Sequence, residues 1–313
     1  MIGHVKTDGH LGRCHFKDRE GDAANVILTA VGHNLRRVLA EGSASLNPAR
    51  SRCHEPNSMQ YVGFGTRQLS SGIHVMTGCF ETRIGENEFH THLSAYLTCG
   101  DRGSALIDTG HVKDFNKIAS YIESVVGKDL THIFPTHEEY PHSGNLGLLL
   151  EAFPEAVVIG ETRNVHLYYP DQYRQERFLQ KNVGQRIDLG GRTLEVLPAL
   201  IHDLPASYWA YDDRDKTLFV SDGFAFSHYD SAECVLLSHE LLKPPTAAEA
   251  RLVLDLALYW SRYADNTAIV TDLAEMLDKY ETQVICPAHG SVITEPGRLL
   301  AVMDAALRNE IGI

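Results

Sequence analysis

The sequence predicts an α/β protein built as a layered α/β/β/α sandwich. Two blocks of short β-rich runs, each finished by helices, predict the layers. An apolar share of 43 % over 313 residues supplies a full core. Several apolar runs end in a His, Asp or Glu followed by a small or polar break, as expected of strands whose tips build a site.

The first block opens near Tyr61. Gly72 to Met76, Ser94 to Thr98 and Ser104 to Ile107 read as short strands, the third closed by Asp108-Thr109-Gly110. Val112 to Val126 carries apolar residues at helical spacing: Phe115, Ile118, Ala119, Ile122, Val125 and Val126. Leu130 to Phe134 is a strand ending at a proline, and Asn145 to Ala152 a helix. Ala156 to Ile159 reads as a buried strand and Thr162 to Tyr169 as a short helix.

The second block holds two hairpins. Gln185 to Leu189 and Arg192 to Leu197 turn at Gly190-Gly191, and Ser207 to Tyr211 and Thr217 to Val220 turn at Asp212-Asp213. Thr246 to Tyr263 and Thr267 to Tyr280 read as two long helices. The first is apolar nearly all round from Leu252 to Trp260, hence buried. Val284 to Cys286 is a last strand and Pro296 to Asn309 a closing helix.

Residues 1–58 read differently. They hold His4, His10, His15 and His33, one amphipathic helix candidate from Ala23 to Leu39, and a linker-like stretch, Glu41 to Asn57, rich in Ser, Asn, Pro and Arg. The segment Gly12 to Ala40, with G-D-A-A-N followed by A-V-G-H-N, resembles the C-terminal end of DDE-type insertion-sequence transposases. That resemblance implies a fusion scar or an over-extended start, so residues 1–58 are expected to be an extension and 59–313 the domain.

A net charge of −13 argues against nucleic acid or an anionic membrane as partner. With no apolar run long enough to span a bilayer and no signal peptide at the start, the expected location is cytoplasmic. The six cysteines are scattered without a C-x-x-C, as in a chain with reduced thiols. The 17 histidines favour metal chemistry.

The densest cluster is T-H-I-F-P-T-H-E-E-Y-P-H-S-G, residues 131–144. It places His137, Glu139 and His142 in one tight loop after a strand. Imidazole and carboxylate together suit iron or zinc. His202, Asp222 and His289 each follow a further apolar run. Singly, an Asp after a strand caps a helix and a lone His hydrogen-bonds. Six such residues in one repeated form point to a shared site.

From about residue 60 onward the chain resembles the metallo-β-lactamase-like domain of flavodiiron proteins. The match is H-x-E-x-x-H-S-G (His137 to Gly144), supported by L-I-D-T-G (Leu106 to Gly110), L-P-A-L-I-H-D-L-P-A-S (Leu197 to Ser207), L-F-V-S-D-G-F-A (Leu218 to Ala225) and I-C-P-A-H-G-S-V-I (Ile285 to Ile293). The resemblance implies a metallo-β-lactamase-like αββα sandwich and a two-iron site. One iron would take His137, Glu139 and His202, the second His142 and His289, and Asp222 would bridge them. No catalytic residue beyond the metal site is implied.

Two departures modify that expectation. The family's H-x-E-x-D-H carries an Asp where this chain has Pro141, which leaves the second metal His142, Asp222 and His289. Tyr140 and Glu138 are sequence neighbours that could substitute. Flavodiiron proteins also continue into a flavodoxin-like domain carrying FMN, and no flavodoxin phosphate loop is found here, so no FMN is expected in this chain. Electrons would come from an external flavoprotein or rubredoxin-like donor. His90 and His92 are candidates for a loop over the metal pocket, with surface histidines the competing reading. Asp108 reads as a hydrogen-bonding support for the ligand loop.

The expected function is a diiron protein that binds or reduces O2 or NO, or senses O2, acting as a homodimer. A zinc hydrolase of an ester, thioester or lactam is the second class; Glu139 and Pro141 argue against it. A diiron oxygenase acting on an organic substrate is a variant of the first class. A metal-poor scaffold is the third class.

Overall fold

The computed structural model describes residues 58–308. The Ala23–Leu39 helix and the Glu41–Asn57 linker expected from the sequence lie outside the described residues, as does the transposase-like segment.

Strands β1 (Ser58–Gln68), β2 (Ile73–Ile84), β3 (Asn87–Cys99), β4 (Ser104–Ile107), β5 (His132–Phe134), β6 (Val157–Gly160) and β7 (Phe178–Gln180) form one sheet in sequence order. β1 to β4 pair antiparallel, and β4 to β7 pair parallel. Helix α1 (Phe115–Val126) crosses from β4 to β5, and α2 (Leu146–Ala152) from β5 to β6. A short helix α3 (Val165–Tyr168) precedes β7. Parallel neighbours need such crossovers, since a tight turn cannot reverse the chain twice.

β8 (Arg186–Asp188), β9 (Thr193–Pro198), β10 (Tyr208–Asp212), β11 (Thr217–Phe219) and β12 (Val284–Cys286) form the second sheet, in the order β12-β11-β10-β9-β8. Helices α4 (Ala247–Ala257) and α5 (Thr267–Lys279) lie between β11 and β12 in the chain, and α6 (Pro296–Leu307) closes it.

Three apolar layers hold these elements. Ile118, Ile122, Leu146 and Leu149 of α1 and α2 pack on Met76, Leu97 and Leu106 of the first sheet. Val75, Tyr96, Ile107 and Phe134 meet Val196, Ala210, Phe219 and Cys286 between the sheets. Leu254, Leu273, Leu299 and Met303 cover Trp209, Leu218 and Ile285 on the far face. Successive strand residues therefore serve opposite layers, Leu106 outward and Ile107 inward, Leu218 outward and Phe219 inward. This is the expected αββα sandwich.

The structure departs from the expected elements in three places. β2 and β3 run 12 and 13 residues, far beyond Gly72–Met76 and Ser94–Thr98, because the hairpin continues past the core to a turn at Gly85. β1 and β7 are edge strands with weak apolar alternation and were not expected. The single helix expected from Thr246 to Tyr263 breaks after Ala257 into a 3-10 turn, Tyr259–Arg262. Asp255 accepts from both Arg251 and Arg262, which bends the chain back, and Trp260 Nε1 donates to the carbonyl of His202 at 2.9 Å. Leu256, in the last turn of that helix, and Tyr259, in the 3-10 turn, are exposed, not buried.

Candidate metal centre

The site lies at the C-terminal tips of β4, β5, β9, β11 and β12, where loops leave the two sheets side by side. His137, His142 and Asp222 offer ligand atoms that all fall within 4.8 Å of one another. Asp222 Oδ1 lies 3.2 Å from His142 Nε2 and 3.2 Å from His289 Nε2, and Asp222 Oδ2 lies 3.7 Å from His137 Nε2. One buried carboxylate thus faces three imidazoles.

The far nitrogen of each ring decides what the near one can do. His142 Nδ1 is 2.9 Å from Asp108 Oδ2, and a carboxylate only accepts, so Nδ1 carries the hydrogen. His289 Nδ1 is 3.0 Å from the carbonyl of His92 and donates there as well. His137 Nδ1 is 3.0 Å from Ser221 Oγ, which is 2.8 Å from Thr136 Oγ1, which is 2.8 Å from Asp108 Oδ1. Thr136 has one hydroxyl hydrogen and Asp108 can only accept it. Ser221 therefore donates to Thr136, and His137 Nδ1–H donates to Ser221.

All three rings then turn Nε2 toward Asp222, their Nδ1 hydrogens being committed to the outer side. Lone pairs aimed at a carboxylate repel unless a proton or a cation lies between them. His137 Nε2 is buried without a hydrogen-bond partner. An orphaned acceptor of this kind beside a carboxylate and two further imidazoles fits a cation.

The electrostatics agree. Burial, then the charge of His142, pushes His137 down to about 4, against the pull of Asp222 and Asp203. Its ring is neutral and free to ligate. Burial opposes charge on His142 too, but Asp108 and Asp222 on its two sides outweigh it and hold that ring well above the usual imidazole range, so with no cation bound a proton sits between His142 Nε2 and Asp222 Oδ1, where a cation would take its place. Burial likewise opposes charge on Asp222, but His142 and His289 outweigh it and hold the carboxyl well below its ordinary value.

A second group, His137, Glu139 and Asp203, also falls within 4.8 Å. Burial, then a hydrogen bond and the charge of Asp203, pushes Glu139 up to about 7. Two carboxyls that share a proton when nothing else is bound can share a cation instead. Asp203 went unnoticed in the sequence, although it directly follows His202. His202 itself belongs to neither group. Its Nδ1 is buried without a partner.

Two residues that support the ligand loops hold positive φ without being glycine: Asp108 at 57° and Ser221 at 52°. Non-glycine residues rarely adopt this region and concentrate where a site demands it. Gly290, next to His289, has φ 105°, and a Cβ there would come within 2.9 Å of the Phe226 carbonyl. Only glycine fits that turn.

The substitutes considered for Pro141 are turned elsewhere. Glu138 lines a separate pocket with Arg163 and Asn164. Tyr140 borders the metal cavity, with its hydroxyl accepting from Val112 N–H at 3.3 Å. His90 and His92 do not overhang the site. Side chains alternate along β3, so Phe89, Thr91 and Leu93 line the cavity while His90 and His92 face away. His92 reaches the centre only through its carbonyl. The cavity is about 250 Å³, and besides the polar groups it is walled by Met59, Ile84, Phe89, Leu93, Val253 and Leu256.

Comparison with known proteins places this fold. The ODP family beta lactamase profile matches residues 91–290, a span that runs from the Thr91 wall of the cavity to His289 and Gly290. The chain belongs to this family. The ODP-family chain is 29 % identical over 220 residues to the coenzyme F420H2 oxidase of Methanothermobacter marburgensis, covering 67 % of this chain and 52 % of that protein. It is 30 % identical over 225 residues to the corresponding oxidase of Methanothermobacter thermautotrophicus, covering 69 % and 54 %. It spans about half the length of these relatives. Among solved structures it is similar to rubredoxin oxygen:oxidoreductase from Desulfovibrio gigas, with TM-score 0.63, 19 % identity, and coverage of 78 % of this chain and 61 % of that one. The flavodiiron core of Flv1 from Synechocystis gives TM-score 0.65, 18 % identity, and coverage of 81 % and 62 %. The ODP-family chain has the fold of flavodiiron cores. Among its described residues, no helix is long and apolar enough to cross a membrane.

Proposed function

We propose that this chain is a non-haem diiron protein that binds or reduces O2 or NO, with electrons supplied by an external flavoprotein or rubredoxin-like donor. The observation that carries the reading is the convergence of the Nε2 atoms of His137, His142 and His289 on Asp222. The oxidase names of the relatives and the flavodiiron cores of similar fold support iron over zinc.

His137, Glu139 and the Ile201–Leu204 turn would hold the first iron. The turn offers Asp203, already close to His137, and His202 with its unpartnered Nδ1. His142 and His289 would hold the second, with Asp222 spanning both. When bound, a pair of irons supplies the redox chemistry, accepting electrons and passing them to a diatomic ligand. The protein's own contribution is orientation and exclusion. Asp108 and Ser221 fix the tautomers of His142 and His137, and His92 fixes His289 through its carbonyl. The apolar wall limits water at the site and so strengthens the electrostatic interactions inside it. Glu139, with the Asp203 carboxylate beside it, can hold a proton near neutral pH.

The cavity of about 250 Å³ exceeds what a diatomic molecule fills, which favours a second reading, O2-dependent oxidation of a small apolar organic compound. Zinc-dependent hydrolysis is the remaining alternative. The deciding experiment supplies iron-loaded protein with a chemical reductant and follows O2 and NO consumption. Uptake above that of a metal-free control is expected. No uptake of either gas, together with cleavage of an activated thioester or lactam by the zinc form, would overturn the reading.

A further inference from the structure

We propose that Cys79, His90, His228 and Cys234 form a second metal site, a closed tetrahedral Cys2His2 site for one zinc ion per chain. Their ligand atoms all lie within 4.8 Å of one another, and none belongs to the centre described above. Cys79, His90 and His228 are buried and Cys234 is half-buried.

The separations match a coordination shell. Cys79 Sγ lies 3.9 Å from His90 Nδ1 and 3.8 Å from His228 Nε2. Cys234 Sγ lies 3.5 Å from His90 Nδ1 and 3.2 Å from His228 Nε2. Bond lengths of about 2.3 Å to sulfur and about 2.0 Å to nitrogen at tetrahedral angles give S–N edges of about 3.5 Å. The two sulfurs are 2.9 Å apart and would separate by about 0.9 Å to reach the S–S edge of the same tetrahedron. Two thiolates neutralise a divalent cation, so the loaded site carries no net charge into a buried place. Two soft sulfurs with two imidazoles and no open position select zinc in a structural role.

The fold explains how residues so distant in sequence meet. Cys79 and His90 share one face of the β2–β3 hairpin beyond the core. The loop after β11 is drawn onto β3 by paired backbone bonds, His90 N–H to the His228 carbonyl at 2.6 Å and His228 N–H to the His90 carbonyl at 3.2 Å. Cys234 follows on the 3-10 turn Ser231–Glu233. A metal here clamps that loop to β3, two residues from the His92 carbonyl that orients His289. The proposal stands whether or not the other centre holds iron.

The test is metal analysis and zinc X-ray absorption of the purified chain. One zinc per chain is expected, with two sulfur neighbours at about 2.3 Å and two nitrogen neighbours at about 2.0 Å. Cys234→Ser and His228→Ala should each lower zinc below half an equivalent while leaving iron content unchanged. Cobalt loaded in place of zinc should show thiolate charge-transfer absorption in the wild type and not in the Cys79→Ser, Cys234→Ser double variant. A wild-type chain without zinc, a zinc shell of nitrogen and oxygen alone, or mass spectrometry showing a Cys79–Cys234 disulfide in the isolated protein would overturn the proposal.

Discussion

His142 Nδ1 lies 2.9 Å from Asp108 Oδ2, and both side chains are buried. This contact fixes the hydrogen on the outer nitrogen and leaves the inner one for a cation. Asp108→Asn reverses it, because the amide can donate to Nδ1 and force the hydrogen onto Nε2. Iron affinity is expected to fall by about 10–100-fold with the fold intact. Anaerobic iron(II) titration of the two proteins checks this, and equal affinities would contradict it.

Glu139 makes metal loading pH-dependent. A cation must displace the proton that Glu139 holds below about 7, so iron(II) loading should weaken as pH falls through that value. The metal-free fold behaves oppositely. A carboxyl raised from 4.5 keeps its proton in the folded state after the unfolded chain has lost it, so stability declines as pH rises between 4.5 and about 7. Asp203→Asn removes the like charge and should move both midpoints downward. A pH series of metal titrations and of denaturant melts on wild type and variant reads this, and unmoved midpoints would count against the Glu139–Asp203 pairing.

His202 and Asp203 are the two donors that the loop after β9 offers to the proposed first iron position. His202→Ala is expected to lower iron to about one equivalent by opening a coordination position. Asp203→Ala should retain more iron than His202→Ala. Metal analysis of the two variants side by side gives the order, and the reverse order would assign the ligand to Asp203.

In the proposed ligand set, Pro141 leaves the second position with three protein donors, His142, Asp222 and His289. Chelator titration should therefore remove iron in two steps, the weaker step vanishing first in His289→Ala. Removal in one step with a single affinity would contradict the inequality of the two positions.

Phe219 is fully buried between the sheets against Tyr96, ring centroids 5.6 Å apart. Phe219→Ala should destabilise the fold by about 3–5 kcal/mol through lost burial and the cavity left behind. Urea denaturation measures it, and a change under about 1 kcal/mol would mean the layers are not joined as described.

The layered fold was legible because strands such as Ser104–Ile107 and Val284–Cys286 are short, apolar and bounded by turn residues. The long hairpin was less so. His90 and His92 look like a polar interruption, yet continue β3 because β2 pairs with them, Glu81 opposite His90 and Cys79 opposite His92. The helix break after Ala257 was hidden as well, since it depends on Asp255 meeting Arg262 through space. At the metal centre, His137, Glu139, His142, Asp222 and His289 could be named from strand-tip motifs. Asp203 could have been, as the acid in I-H-D. Cys79, His228 and Cys234 could not, because their proximity exists only once the β11 loop lies on β3.

In the proposed centre, strand-tip loops hold two iron ions around Asp222. Anaerobic reconstitution followed by iron quantification and absorption spectra before and after O2 tests it most directly, with Asp222→Ala as the comparison. Two irons per wild-type chain, a spectrum that changes on O2 exposure, and less than one iron in the variant are expected. Full iron in Asp222→Ala, or a wild-type chain that takes up zinc but no iron, would contradict it.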